Sequence, residues 1–301
     1  SRAIVVTKSQ APKASVEEGA VEIGTAVELE GAGTIYYRVN GGMETIYGGS
    51  IVIEEDTVIM AYAVGDGSLR SDTVEFAYTV KKITSGTDGA VTWNYNDGIL
   101  TVNGTGAIPD YTPGAAPWYG QLRNEITAVV MGDGIDTIGS NAFYGLGKVT
   151  AVTVPDTLKQ INSGAFEGCT SLNAAALPDG MSGGIGSGAF KGCTALKSLT
   201  IPVGVTAIEQ SAFEGCAGLT EITLPFIGSQ SGAANNTDTF TYVFGGSVPS
   251  ALRRVTITNE TSVPENAFAG LENIERITIN SGVSSIGSGA FDGCKKLAAF
   301  T

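Results

Sequence analysis

Few residues in this chain can do chemistry. Its 301 residues hold four cysteines, Cys169, Cys193, Cys216 and Cys294, and no histidine. Without imidazole, Ser-His-Asp and Cys-His catalysis, histidine metal sites and histidine pH switches are excluded. Each cysteine stands three residues after a phenylalanine, and Leu146 and Leu271 take the same slot elsewhere. Leucine as the substitute marks the slot as buried and apolar, so the thiols read as small core hydrophobes. A zinc site would need several ligands converging, and single thiols in separate turns do not supply them. The run Glu54-Glu55-Asp56 reads as a solvated turn edge, and no carboxylate pair stands out as an acid and its base. Phosphate-loop, zinc and EF-hand motifs are absent. The expectation is a chain that is not an enzyme, with no catalytic, metal or cofactor-binding residue and no cofactor.

Composition narrows the partners. The formal charge is −13, which repels phosphate backbones and makes nucleic acid a poor partner. No apolar run approaches the ~18 residues of a membrane span, so no membrane insertion is expected within this chain. No signal peptide is visible, and the start at Ser1-Arg2 is what a mature or trimmed form would be expected to show. Glycine is abundant, 42 of 301, so turns must be frequent.

The turns recur at a fixed interval. Ala-Phe pairs stand at Ala142-Phe143, Ala165-Phe166, Ala189-Phe190, Ala212-Phe213, Ala267-Phe268 and Ala290-Phe291, mostly 23 or 24 residues apart. Phe244 fills the one long gap, giving about seven units, one of them carrying an insertion. The apolar pattern of each unit is that of Leu196, Leu199, Ile201, Pro202, Val205, Ile208, Ala212, Phe213 and Cys216. A 23-residue loop cannot bury its own apolar face, but stacked loops share one core. Leu-x-x-Leu-x-Ile is expected as a short strand ended by proline. Val-x-x-Ile is expected to turn back, and Ala-Phe-x-Gly-Cys to form a short helical turn that plugs the core. The structural core is therefore expected at Phe143, Phe166, Phe190, Phe213, Phe244, Phe268 and Phe291, with the four cysteines.

The stretch from Ile201 to Pro225 resembles the BspA-like leucine-rich repeats of bacterial surface proteins, through Pro202, Ile208, Ala212-Phe213 and Gly215-Cys216. The resemblance covers about residues 126–301. It implies a solenoid fold and a protein that binds rather than transforms, located outside the cell or on the surface of a bacterium. Signal and anchor would lie outside this chain. Residues 83–125 read as a linker and the solenoid's N-terminal cap. They hold a hairpin signal at Asn96-Asp97-Gly98, and Gly104-Thr105-Gly106 and Pro117-Trp118-Tyr119 resemble the cap preceding such repeats.

Residues 1–13 form a tail. Residues 14–82 read as a small all-β module, with strands at 27–29, 34–39, 51–53, 58–64 and 74–80 separated by Gly-rich turns. Their spacing suggests an immunoglobulin-like β-sandwich, and their order resembles the chitobiase C-terminal-like module. The fold class expected is mainly β, a sandwich followed by a capped leucine-rich solenoid.

Three features could bind. One row of the strand face holds Thr153, Thr200, Thr223, Thr256 and Thr278; its neighbour holds Ser198, Glu221, Arg254 and Arg276. Threonine suits an exposed strand in any case, but solenoids bind along such surfaces. The second feature is the inserted loop, with Asn235, Asn236 and Asp238. The third is the aromatics, which could stack on sugars: Trp93, Tyr95, Tyr111, Trp118 and Tyr119 in the cap, and Tyr36, Tyr37, Tyr47 and Tyr62 in the first module. Tyr47, between loop glycines, is the one expected to be exposed. The resemblance implies adhesion to a host or bacterial surface protein. Glycan binding as an accessory of polysaccharide processing and a structural spacer remain the alternatives.

Overall fold

A computed structural model of the chain describes residues 6–231 and 239–300. The chain divides into two compact units, Ser1–Lys82 and Ile83–Thr301.

The first unit is built on a five-stranded sheet in the order Gly19–Val21, Val74–Val80, Thr57–Val64, Thr34–Val39, Thr45–Ile46. Its first pair is parallel and the rest antiparallel. Two short ladders complete the unit, Thr25–Val27 with Ile51–Ile53 and Lys13–Ala14 with Leu29–Glu30. Alternation sends Ile35, Ile59, Ala61, Ala63 and Tyr78 into one core with Val27, Leu29 and Ile53. Strands form at 34–39, 51–53 and 74–80 as their sequences indicate, whereas 27–29 divides between two ladders. Asn40 and Gly41 both adopt positive φ, 49° and 72°, and Gly42 N–H donates to Val39 O at 2.8 Å. That is a type I′ turn, whose twist suits the strands it joins.

The second unit opens with three antiparallel strands, Ser85–Asp88, Val91–Asn96 and Ile99–Gly104. The last also pairs in parallel with Ala128–Met131, and from there the chain stacks parallel coils. One face continues through Ala151–Thr153 and Ala174–Ala175. A separate ladder follows from Ser198–Thr200 through Glu221–Leu224, Arg254–Ile257 and Arg276–Ile279 to Ala299–Phe300. A further parallel sheet joins Gly106–Ala107, Ile135–Ile138, Gln160–Ile161, Gly184–Ile185 and Ala207–Ile208. The Val-x-x-Ile segment, expected as a return turn, is thus a second strand in each of several coils.

The Ala-Phe corner is held differently from the helical turn expected. No α-helix forms among the described residues. Phe143 N–H donates to Ala165 O of the next coil at 2.8 Å, and Phe166, Phe190 and Phe268 repeat the bond to Ala189, Ala212 and Ala290. Two positive-φ residues flank the corner, two before and two after the phenylalanine, such as Asn141 and Gly145 around Phe143. Left-handed residues interrupt a helix, so the carbonyls point along the stack instead. Where Asn fills the slot two before Phe, the next coil has Gly there for a steric reason. A Cβ on Gly164 would lie 2.4 Å from Asn141 Oδ1, and one on Gly289 would lie 2.5 Å from Asn266 Oδ1.

The rings inside the corner form one column. Trp118 stacks on Phe143 at 5.7 Å between centroids, Phe143 on Phe166 at 5.3 Å, Phe166 on Phe190 at 5.4 Å and Phe190 on Phe213 at 6.0 Å. At the insertion the column needs two rings. Phe213 meets Phe244 at 6.0 Å, Phe244 meets Phe240, and Phe240 meets Phe268 at 5.4 Å. The backbone follows the same split: Phe213 N–H donates to Val243 O, while Phe240 N–H donates to Ala267 O. Phe291 and Cys294, assigned to the core with the others, are half-buried and pack against its edge.

Two outcomes test this packing. Phe213→Ala should lower stability by roughly 3–5 kcal/mol, since a fully buried ring leaves a cavity between two coils. A shift below about 1 kcal/mol in urea unfolding would refute the column. Ser211 holds the left-handed slot at φ 63° without being Gly or Asn, and Gly245 of the next coil leaves it space. Ser211→Asn should raise stability by about 0.5–1 kcal/mol, because Asn tolerates this conformation better; an unchanged or lower urea midpoint would show that the slot carries no strain.

Candidate functional site

The strand face of the second unit is set by what lies beneath it. Val129, Val152, Leu199, Ile222, Val255 and Ile277 point inward and are buried, so the residues on either side of each point outward. Register then stacks these outward residues in rows. Ala128, Ala151 and Ala174 align, as do Ser198, Glu221, Arg254 and Arg276. Thr153 aligns with Val130, and Thr200, Thr223, Thr256 and Thr278 align with one another.

The face differs from the sequence expectation in two respects. It is two ladders rather than one continuous strip, with the break between Ala174–Ala175 and Ser198–Thr200. Ala175 stands in the inward slot that Val152 and Leu199 fill on either side, and its methyl anchors the strand less firmly. The hydroxyl row is also not uniformly open. Thr153 and Thr200 are exposed, whereas Thr223, Thr256 and Thr278 are half-buried. Thr223 and Thr256 each have a threonine of the coil before and of the coil after as lateral neighbours.

Charge is concentrated on the second ladder. Glu221 accepts two hydrogen bonds from Arg254, at 3.0 Å from Nε and 2.6 Å from Nη2. Arg276 lies directly beside Arg254 and forms no ion pair among the described residues. Arg253 pairs with Glu275 at 3.4 Å. The exposed pairs contribute only about 0–1 kcal/mol each. Their effect is to orient guanidinium groups beside threonine hydroxyls, on a chain whose overall charge is −13. Hydroxyls, a carboxylate and guanidinium groups on a rigid sheet can meet polar groups of another macromolecule. No group of three or more potential metal ligands converges among the described residues.

Sequence comparison matches residues 122–238 and 241–301, more than half of the chain, to the model of the BspA type leucine rich repeat region, in six copies. The chain belongs to that family. No curated protein matches it in sequence. Among solved structures it is similar to a leucine-rich repeat protein from Eubacterium ventriosum, at 25% identity over 73% of this chain and 72% of that one, with a TM-score of 0.43. A leucine-rich repeat protein from Bacteroides ovatus is 19% identical over 70% of this chain and 81% of its own, with a TM-score of 0.34. A leucine rich cell surface protein from Faecalibacterium prausnitzii is 20% identical over 73% and 95%, with a TM-score of 0.28.

Within the BspA-type repeats the cysteines have a specific partner. Cys169 Sγ donates to Phe143 O at 3.2 Å, Cys193 to Phe166 O at 3.3 Å, Cys216 to Phe190 O at 3.1 Å and Cys294 to Phe268 O at 3.1 Å. The thiol reaches back to the carbonyl of the phenylalanine one coil earlier, a bond that leucine at the same slot cannot make. All four thiols are free. Burial pushes the thiols of Cys169 and Cys216 up to about 12, and raises those of Cys193 and Cys294 as well.

The inserted-loop residues Asn235, Asn236 and Asp238 lie outside the described residues. Trp93 and Trp118 are buried in the core of the second unit, and Trp118 Nε1–H donates to Ala142 O at 2.8 Å. Tyr95, Tyr111 and Tyr119 pack half-buried against the same core. Tyr47, expected to be exposed, is half-buried with its ring edge on Tyr37 at 6.0 Å, because its N–H is tied to Ile35 O. Sequence reasoning missed Glu260. Its buried carboxylate accepts hydrogen bonds from the Ile227 and Thr261 N–H groups and from the Ser231 hydroxyl, fixing the chain that enters the insertion. An acid beside an insertion was the only signal for it.

The raised thiols have a pH consequence. Above an ordinary value of 9.0 the unfolded chain releases thiol protons that the folded chain keeps. The stability each buried thiol contributes is full below pH about 9 and is lost as the pH rises towards about 12. Cys216→Ala should therefore flatten the fall of stability with pH, whatever its constant cavity cost; parallel urea-midpoint curves for parent and variant would contradict this. Native alkylation at neutral pH should be slow at Cys169, Cys193 and Cys216, and mass spectrometry reads it directly.

Proposed function

We propose that this is a non-catalytic protein, secreted or displayed on a bacterial surface, that binds a partner protein along the strand face of its solenoid. The observation that carries the reading is the second ladder, where threonine hydroxyls stack in register beside the Glu221–Arg254 pair and Arg276. Parallel coils hold those groups at fixed spacing, so a partner meets a surface that needs no ordering before contact. Membership of the BspA-type family supports a binding role and a surface location. The absence of histidine removes the commonest general base from any competing catalytic reading. Adhesion to host or neighbouring-cell proteins is the role this surface would serve.

The same reading assigns residues 14–82 to an immunoglobulin-like sandwich, residues 83–125 to linker and cap, and residues 126–301 to about seven coils, counting the Phe240–Phe244 segment as one. The single core shared by the five-stranded sheet and the two short ladders supports the sandwich.

Binding of the full chain to immobilised extracellular-matrix and bacterial surface proteins tests the role of the face. Thr200→Arg with Thr223→Arg should keep the parent's circular dichroism and lose no more than about 1 kcal/mol, since strand surface positions tolerate substitution. It should abolish capture, because two added charges must be desolvated on contact. Unchanged capture by the double variant would move the binding surface elsewhere.

A further inference from the structure

The open side of the five-stranded sheet in the first unit carries a pocket lined by Arg38, Glu44, Met60, Tyr62, Arg70 and Thr73. Strand alternation places it there. Tyr62 and Met60 point away from the core because Ala61 and Ala63 point into it, and Arg38 is paired in register with Met60. Tyr36 stacks on Tyr62 at 5.2 Å with only 13° between the rings, which stiffens one wall. The Arg70 guanidinium covers the Tyr62 ring at 4.2 Å from its centroid and donates to Thr73 Oγ1 at 3.2 Å. It meets no carboxylate among the described residues. Glu44 is the pocket's one acid: it accepts from Tyr62 Oη at 2.9 Å and from Arg38 at 3.2 Å. Partial burial and the facing Glu44 carboxylate raise the Tyr62 phenol, which keeps it a donor.

We propose that this pocket binds an acidic sugar, a pyranose bearing a carboxylate. The chemistry divides among the groups. The planar fork of Arg70 is free to take a carboxylate in two parallel hydrogen bonds. Glu44 accepts from ring hydroxyls, with Thr73 able to donate or accept beside it. Met60 offers an apolar floor to the C–H face of the sugar, beside the Tyr62 ring that Tyr36 and Arg70 already cover. A simple polyanion fits less well, because Glu44 would repel it while a sugar's hydroxyls have use for that acceptor. The site is independent of the solenoid face, so either can fail without the other.

Calorimetric titration of the full chain with a glucuronic- or galacturonic-acid trisaccharide tests the assignment, beside the matching neutral trisaccharide and a short polyglutamate peptide. The acidic sugar should bind and the other two should not. Arg70→Gln should weaken binding about tenfold or more, the effect of losing a hydrogen bond to a charged group. Glu44→Gln decides between sugar and simple anion: it should weaken the acidic sugar several-fold, whereas a plain anion site would bind more tightly once that charge is gone. Both residues are exposed, so parent-like circular dichroism is expected for each variant. No binding of the acidic sugar at millimolar concentration, equal binding of the neutral sugar or the peptide, or tighter binding by Glu44→Gln would each overturn the proposal. The Thr200→Arg and Thr223→Arg double variant should bind the sugar as the parent does.

Discussion

The second unit depends on the corner where Phe143, Phe166, Phe190 and Phe213 stack. One coil alone has an apolar face and nothing to cover it. The corner solves this twice at the same place: the ring supplies buried area, and the Phe N–H donates to a backbone carbonyl of the next coil, an alanine for Phe143, Phe166 and Phe190 and Val243 for Phe213. Burying a large aromatic contributes about 1.5–3 kcal/mol, and each buried N–H left unpaired would cost about 1–3 kcal/mol. Neither gain is available to an isolated coil. Stability is therefore a property of neighbours, and the column needs an end. Trp118 provides it, stacked on Phe143 and bonded through its indole N–H to the carbonyl of Ala142. The hairpin at Asp97-Gly98 turns antiparallel pairing into the parallel stack beneath it.

Much of this was legible in the sequence because the same side chain returns to the same slot. Ala-Phe, the thiol three residues later and the Leu-x-x-Leu-x-Ile strand each repeat, and a repeated side chain at a fixed period implies contact with its own counterpart in the next coil. What was not legible has a common cause. The second sheet is paired over only one or two residues in most coils, as at Ile161 and Ile185, too short for alternation to distinguish strand from turn. The left-handed slot is occupied by Asn141, Gly164, Gly188, Ser211, Asn266 and Gly289, and that preference for Gly and Asn is a backbone signal rather than a hydrophobic one. Phe240 was hidden because it sits out of period, four residues before Phe244, within an insertion that the repeat does not describe.

The candidate face was legible only as a pattern of residue types. Its rows follow from the period, but their exposure does not. Thr200 at the start of a ladder is open, whereas Thr223 and Thr256 are screened by their own kind on both sides. The break at Ala175 follows from one missing branched side chain beneath the sheet, a volume effect that the outward residues do not reveal. The pocket on the first unit was less visible still. Arg38, Glu44, Tyr62 and Arg70 belong to different strands and turns, and only pairing across the sheet brings them to one place.

Charge distributes differently on the two units, and this bears on what each can hold. On the solenoid the guanidinium of Arg254 is neutralised by Glu221, and the net positive group on that row is Arg276 beside it. On the first unit Arg70 lies over a tyrosine ring with no acid of its own, while Arg38 shares Glu44 with a phenol. A chain of net charge −13 repels polyanions at a distance, so neither surface is built to attract them from bulk solvent. Screening confines that repulsion to about 8 Å at physiological salt, however, and within that range the local group decides. A guanidinium held rigidly by an aromatic face or by a neighbouring strand then selects its ligand by geometry. Net negative charge at long range and a fixed guanidinium at short range together disfavour ligands that carry many negative charges more than those with a single carboxylate or a polar neutral surface.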